Sequence, residues 1–109
     1  MTGHSIHREI QEMVDRIVKE FDPQRIILFG SHARGDAGWD SDVDFLVVMP
    51  VEGSRRKKTT EIDRALANRK LPVDLIVVTP EHFERYRNVV GTIIYPACRE
   101  GKVLYERVA

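Results

Sequence analysis

Between Ile6 and Phe21 the apolar residues are Ile6, Ile10, Met13, Val14, Ile17, Val18 and Phe21, at i, i+4, i+7, i+8, i+11, i+12 and i+15. That spacing describes one face of a helix. Ser5 stands at the N-cap position, and Asp22-Pro23 ends the element because proline cannot continue it. The pattern then changes. Ile26-Ile27-Leu28-Phe29 is a continuous apolar run with β-branched residues, which reads as a buried strand stopping at Gly30-Ser31. His32 to Ser41 is polar and contains Gly35 and Gly38, so it is expected to be a loop with at most one helical turn. Val43 to Val48 is a second strand, ended by Pro50.

A polar stretch from Val51 to Thr60 contains the basic run Arg55-Arg56-Lys57-Lys58. The pattern predicts a helix from about Thr60 to Arg69, with Ile62, Ala65 and Leu66 inward and Pro72 closing it. Val73 to Val78 is a third strand carrying Asp74 near its start. Thr79-Pro80-Glu81 combines an N-cap, a proline at the first helical position and an acid in the first turn, opening a helix to about Arg87. Another helix is expected from about Gly91-Thr92 to Glu100, with Gly101 as its C′ residue. Pro96 is compatible with it only in the first turn, where the N–H groups have no helical partner. Val103-Leu104-Tyr105 is either a short final strand or a docked tail. The order of elements implies an α/β fold, a small mixed sheet flanked by helices.

The 109 residues suit one domain, 1–109, and leave little material for a second that would grip a substrate. Seventeen basic and seventeen acidic residues cancel, so the basic excess of a duplex-binding protein is missing and stable nucleic-acid binding is not expected. Cys98 is the only cysteine, so no intramolecular disulfide can form. The opening Met1 to Arg8 lacks an apolar h-region, and no apolar run approaches the roughly 18 residues needed to cross a membrane. A soluble, cytoplasmic protein with no membrane association is expected.

Asp42 and Asp44 are two apart at the start of the second strand, and strand side chains alternate faces. Both carboxylates are therefore expected on one side, with Val43 and Phe45 on the other. Like charges that close repel unless they share a cation. Asp74 opens a third strand, and Gly30-Ser31 closes the first. Nucleotidyl transfer asks a protein mainly for positioning and charge neutralisation. Two Mg²⁺ ions about 3.5–4 Å apart can clamp the attacking and leaving oxygens. Asp42 and Asp44 suit the shared ligands of such a pair. Asp74 suits completing one metal shell and helping to deprotonate an attacking hydroxyl. Gly30 allows close backbone approach to phosphate oxygens, and the Ser31 hydroxyl with nearby N–H groups suits the triphosphate tail of a nucleotide.

Gly30-Ser31-His32-Ala33-Arg34-Gly35 followed by Ser41-Asp42-Val43-Asp44 resembles the signature of the polymerase-β-type nucleotidyltransferase superfamily. Gly-Ser, ten residues and Asp-x-Asp match the motif of its minimal nucleotidyltransferase (MNT) branch position for position. The ending Gly101 to Glu106 is similar to that branch as well. The resemblance implies catalytic and metal-binding roles for Asp42, Asp44 and Asp74, and nucleotide binding by Gly30, Ser31, Arg34 and Gly35. It further implies transfer of AMP from ATP to a hydroxyl, that of a tyrosine, on a partner HEPN toxin, the chain acting as its antitoxin; the sequence is compatible with a homo- or a hetero-oligomer and does not fix which. Two other readings remain open: nucleotidylation of a small molecule, and an antitoxin that acts by binding alone.

Other residues have competing readings. Asp74 could simply start a strand, and Asp36 and Asp40 read as loop acids. Arg34 either contacts phosphates or braces the loop by pairing with a carboxylate. Arg55 to Lys58 is either a solvated run in a mobile loop or an attraction for ATP or an acidic surface; basic charge at a helix N-terminus is unfavourable. Trp39 either packs locally, stacks on a base or marks a contact surface. His4, His7, His32 and His82 show no metal-ligand spacing with one another or with Cys98.

Overall fold

The computed structural model describes residues 5–108; His4 and the first residues of the opening segment lie outside them. The elements run α1 (Ile6–Phe21), β1 (Arg25–Phe29), α2 (Ser31–Arg34), β2 (Val43–Val48), α3 (Arg55–Ala65), β3 (Val73–Val78), α4 (Pro80–Tyr86), α5 (Ile94–Glu100) and β4 (Lys102–Glu106). The four strands form one sheet in the order β3-β2-β1-β4. β1 pairs antiparallel with both β2 and β4, while β2 pairs parallel with β3. The fold is therefore α/β with a mixed sheet, as the element order implies.

Both faces of the sheet are covered. Alternation sends Ile26, Leu28, Phe45 and Val47 to one side, where they pack with Ile10, Met13, Val14 and Ile17 of α1 and Ile62 of α3. Ile27, Leu46 and Val48 point to the other side, against Phe83 of α4 and Ile94 and Ala97 of α5. From Phe45 to Val48, β2 is buried on both faces, which is why that stretch reads as a continuous apolar run. Burying a Val, Leu, Ile or Phe side chain contributes about 1.5–3 kcal/mol, so these two layers are the main favourable term fixing the sheet.

The caps hold α1 and α4 where the pattern places them. Ser5 Oγ accepts from Arg8 N at 3.1 Å, and Thr79 Oγ1 accepts from His82 N at 3.1 Å. Pro96 falls in the first turn of α5, as required. Buried Glu9 turns inward from α1, and its Oε2 accepts from Lys70 N at 2.9 Å. That bond ties α1 to the segment leading into β3.

Three local expectations are corrected. The helix expected over Thr60 to Arg69 begins at Arg55 and ends at Ala65, so Arg55 to Lys58 forms its first turn and not a loop. The cost of basic charge there is offset locally: Ser54 Oγ accepts from Lys57 N at 3.2 Å, and Lys58 pairs with Glu61 at 3.0 Å. The last helix starts at Ile94, after a turn in which Thr92 Oγ1 donates to Val89 O at 2.9 Å. Gly101 caps it in extended geometry, not in the left-handed region. Glycine is needed there because a Cβ would collide with the carbonyls of Ala97 and Leu28 and with the Ile27 side chain. The tail is a true edge strand. Tyr105 pairs with Ile26 and Val103 with Ile27, which leaves Leu104 as the extra residue of a bulge.

Candidate functional site

The candidate residues meet at one end of the sheet, where β1 finishes while β2 and β3 begin. Phe29 of β1 is opposite Asp44 of β2, and Asp44 is in turn opposite Asp74 of β3. By alternation Asp44 shares the side of Leu46 and Val48, and Asp74 that of Ile76 and Val78, the face covered by α4 and α5. The apolar layer ends before these positions: Asp44 is half-buried, and Asp42 and Asp74 are exposed. Asp42 lies one residue ahead of β2, next to Val43, whose N–H donates to Pro72 O at 2.8 Å.

The turn after β1 is shaped around Asp44. Gly30 has φ 75° and ψ −155°, a conformation open essentially to glycine alone. A Cβ on Gly30 would run into the Asp44 carboxylate. Backbone and acid are thus in direct contact, and α2 starts at that point. Ala33 N and Arg34 N both donate to Gly30 O at 3.1 Å, and Gly35, at φ 86°, closes the turn with its N–H on Ser31 O at 3.0 Å.

Asp44 is the electrostatic centre of the group. Burial raises its carboxyl above the ordinary value of 3.8, and the charges of Asp74 and then Asp42 push it further up. His32 and Arg34 act in the opposite sense. The three acids are therefore close enough to repel, although they lie apart in sequence and only two share a strand region.

Carboxylate oxygens are the donors that a hard divalent cation takes. Among the described residues no three His, Cys, Asp or Glu side chains converge on a ready-made cation site. Mg²⁺ does not require one, since it usually binds through one or two carboxylates and completes its shell with water and substrate phosphates. The donor set and the repulsion at Asp44 fit that ion.

Arg34 is exposed, with Nε 3.7 Å from Asp36 Oδ2, so the loop-bracing pair forms. An exposed pair of that length contributes at most about 1 kcal/mol. Trp39 is 44% exposed in the Gly38 to Ser41 turn. The basic first turn of α3 lies beyond the opposite end of β2, after Val48, and is no part of this group. His32 is the residue that metal-ligand spacing does not find. Its Nε2 donates to Ser41 O at 3.0 Å, tying α2 to the residue before Asp42. Its position directly after Gly30-Ser31 is the only sequence signal for that role.

Residues 8–96 match the nucleotidyltransferase domain family, and the chain belongs to it. No curated protein matches the chain in sequence. Among solved structures, a Sulfolobus solfataricus protein classed as a nucleotidyltransferase is similar, with TM-score 0.64, 22% identity, and coverage of 92% of this chain and 79% of that one. A toxin–antitoxin structure with AMP-PNP gives TM-score 0.56 and 19% identity over 89% of this chain and 73% of that one. A structure of a mutant of the toxin–antitoxin MntA–HpeT gives 0.62 and 19% over 90% and 72%. Identities this low establish the shared fold.

Proposed function

We propose that the chain transfers AMP from ATP to a hydroxyl of a partner protein, a tyrosine of a HEPN-type toxin, and so acts as an antitoxin. The observation that carries the reading is the contact of Gly30 with Asp44, flanked across the strands by Asp74, in a nucleotidyltransferase domain. The toxin–antitoxin neighbours, one of them with AMP-PNP, support the choice of partner and nucleotide.

In this reading Gly30 and Ser31 receive the triphosphate, with Arg34 and Gly35 completing the turn around it. Asp42, Asp44 and Asp74 hold Mg²⁺, which when bound neutralises triphosphate charge. Asp74 accepts the proton of the acceptor hydroxyl. The hydroxyl oxygen forms a bond to the α-phosphorus, the bond from that phosphorus to the bridging oxygen breaks, and pyrophosphate leaves with the electron pair. A folded partner protein brings its own docking surface for that hydroxyl, and positioning of this kind can contribute several kcal/mol.

Intact-mass spectrometry tests the reading. The domain, ATP, Mg²⁺ and the protein encoded beside it should yield a partner heavier by one or more AMP units on tyrosine, with no gain for Asp42→Asn. A neutralised but unmodified partner would instead establish an antitoxin that acts by binding. Efficient nucleotidylation of a small molecule by the isolated domain would establish the other alternative.

A further inference from the structure

A pocket of about 260 Å³ opens between the first two turns of α1 and the edge strand β4. Its floor is apolar: Ile6 and Ile10 of α1, Leu28 of β1, and Leu104. Leu104 is there because of the bulge. As the extra residue of β4 it packs on the α1 side of the sheet, where Lys102 and Tyr105 also belong through their partners Leu28 and Ile26. Bulges commonly re-aim a side chain in this way, and here the result is a cavity wall.

The rim is polar and of one charge sign. His7, Gln11, His32 and Lys102 surround the apolar floor, and among the described residues no Asp or Glu lines it. Lys102 forms no ion pair among those residues, so its ammonium is available at the mouth. An apolar floor with a few convergent polar groups is the ordinary composition of a small-molecule site.

This pocket is not the seat of the acids. Leu28 and Ile10 belong to the α1 face, whereas Asp44 and Asp74 belong to the face of α4 and α5. The two places meet at the α2 turn, where His32, which bonds Ser41 O, and Gly35, which also closes the turn proposed for the triphosphate, line the pocket.

We propose that this pocket is a second ligand site, taking a small anion with an aromatic or branched apolar body whose charge is met by Lys102. The proposal does not depend on nucleotidyl transfer, and its test reads binding alone. The whole chain, labelled with ¹⁵N, is titrated separately with phenyl phosphate, phenol and inorganic phosphate, and amide shifts are followed by NMR. Phenyl phosphate should shift Ile10, Ala37 and Leu104 saturably, with phenol weaker and inorganic phosphate silent at these amides. Lys102→Ala should weaken phenyl phosphate about tenfold, the size of one lost charge-assisted hydrogen bond. Gln11→Trp, an exposed helical change that leaves the core untouched, should abolish the shifts by closing the mouth. Binding indifferent to both variants, or equal shifts from inorganic phosphate, would overturn the proposal. So would displacement of phenyl phosphate by ATP with Mg²⁺ at the same amides, because the pocket would then belong to the nucleotide site.

Discussion

The Cα of Gly30 packs against the carboxylate of Asp44, leaving no room for a side chain between them. Gly35, five residues on, also has a positive φ, but nothing lies near its missing Cβ. The two glycines therefore separate two effects. Gly35→Ala should cost about 1–2 kcal/mol, the backbone penalty alone. Gly30→Ala adds a steric overlap of about 1–3 kcal/mol to a similar penalty and displaces Asp44 as well. Urea denaturation should rank Gly30→Ala as clearly the more damaging, and equal losses would show that the contact is not tight.

Asp44 also predicts a pH dependence. A carboxyl whose pKa is raised on folding binds its proton more readily in the folded state than in the unfolded one. In the absence of divalent cation, its ionised form thus weakens the fold at neutral pH. The penalty is relieved as pH falls through the raised value, and nothing more is gained below 3.8. Asp44→Asn should therefore melt above the unsubstituted protein at pH 7 without metal, with the gap closing in acid. A variant that melts lower at pH 7 would mean that the carboxylate makes a favourable contact that outweighs the repulsion.

Metal should reverse that sign. If Asp42, Asp44 and Asp74 share Mg²⁺ with a triphosphate, ATP should bind more tightly with the ion than without it. Calorimetric titration of Asp42→Asn combined with Asp44→Asn should lose the difference. Equal affinity with and without Mg²⁺ in the unsubstituted protein would remove these acids from metal binding.

Asp74 is exposed on its own strand, across from Asp44. In the proposed reaction it takes the proton of the incoming hydroxyl. Asp74→Asn should then lower turnover far more than nucleotide affinity, the mark of an interaction made mainly in the transition state. Parallel losses in both would make Asp74 chiefly a ligand or a structural residue.

Much of the molecule is legible along the chain because it is set by neighbours in sequence. The face of α1, the capped start of α4 and the apolar runs of β1, β2 and β3 follow from periods and caps whose energies act within a few residues. The spacing from Gly30-Ser31 to Asp42 and Asp44 is likewise visible in one dimension. The start of α3 was not, because adverse basic charge next to the helix dipole is overcome by the Ser54 cap and the Lys58 to Glu61 pair, a balance of small terms.

What only packing settles is which distant residues become neighbours. Asp74 faces Asp44 because β2 and β3 run parallel in that register, and a shift by one residue would turn it to the other face. Gly101 is required by the approach of α5 to β1 and not by its own dihedral angles. The bulge at Leu104 and the pocket behind it arise from pairing with β1. His32 gains its tie to Ser41 from the fold of the intervening loop. Local chemistry chooses the elements, because caps and periods act over one or two turns. Contacts across the sheet join segments remote in sequence, and their registry emerges only when both faces are buried together.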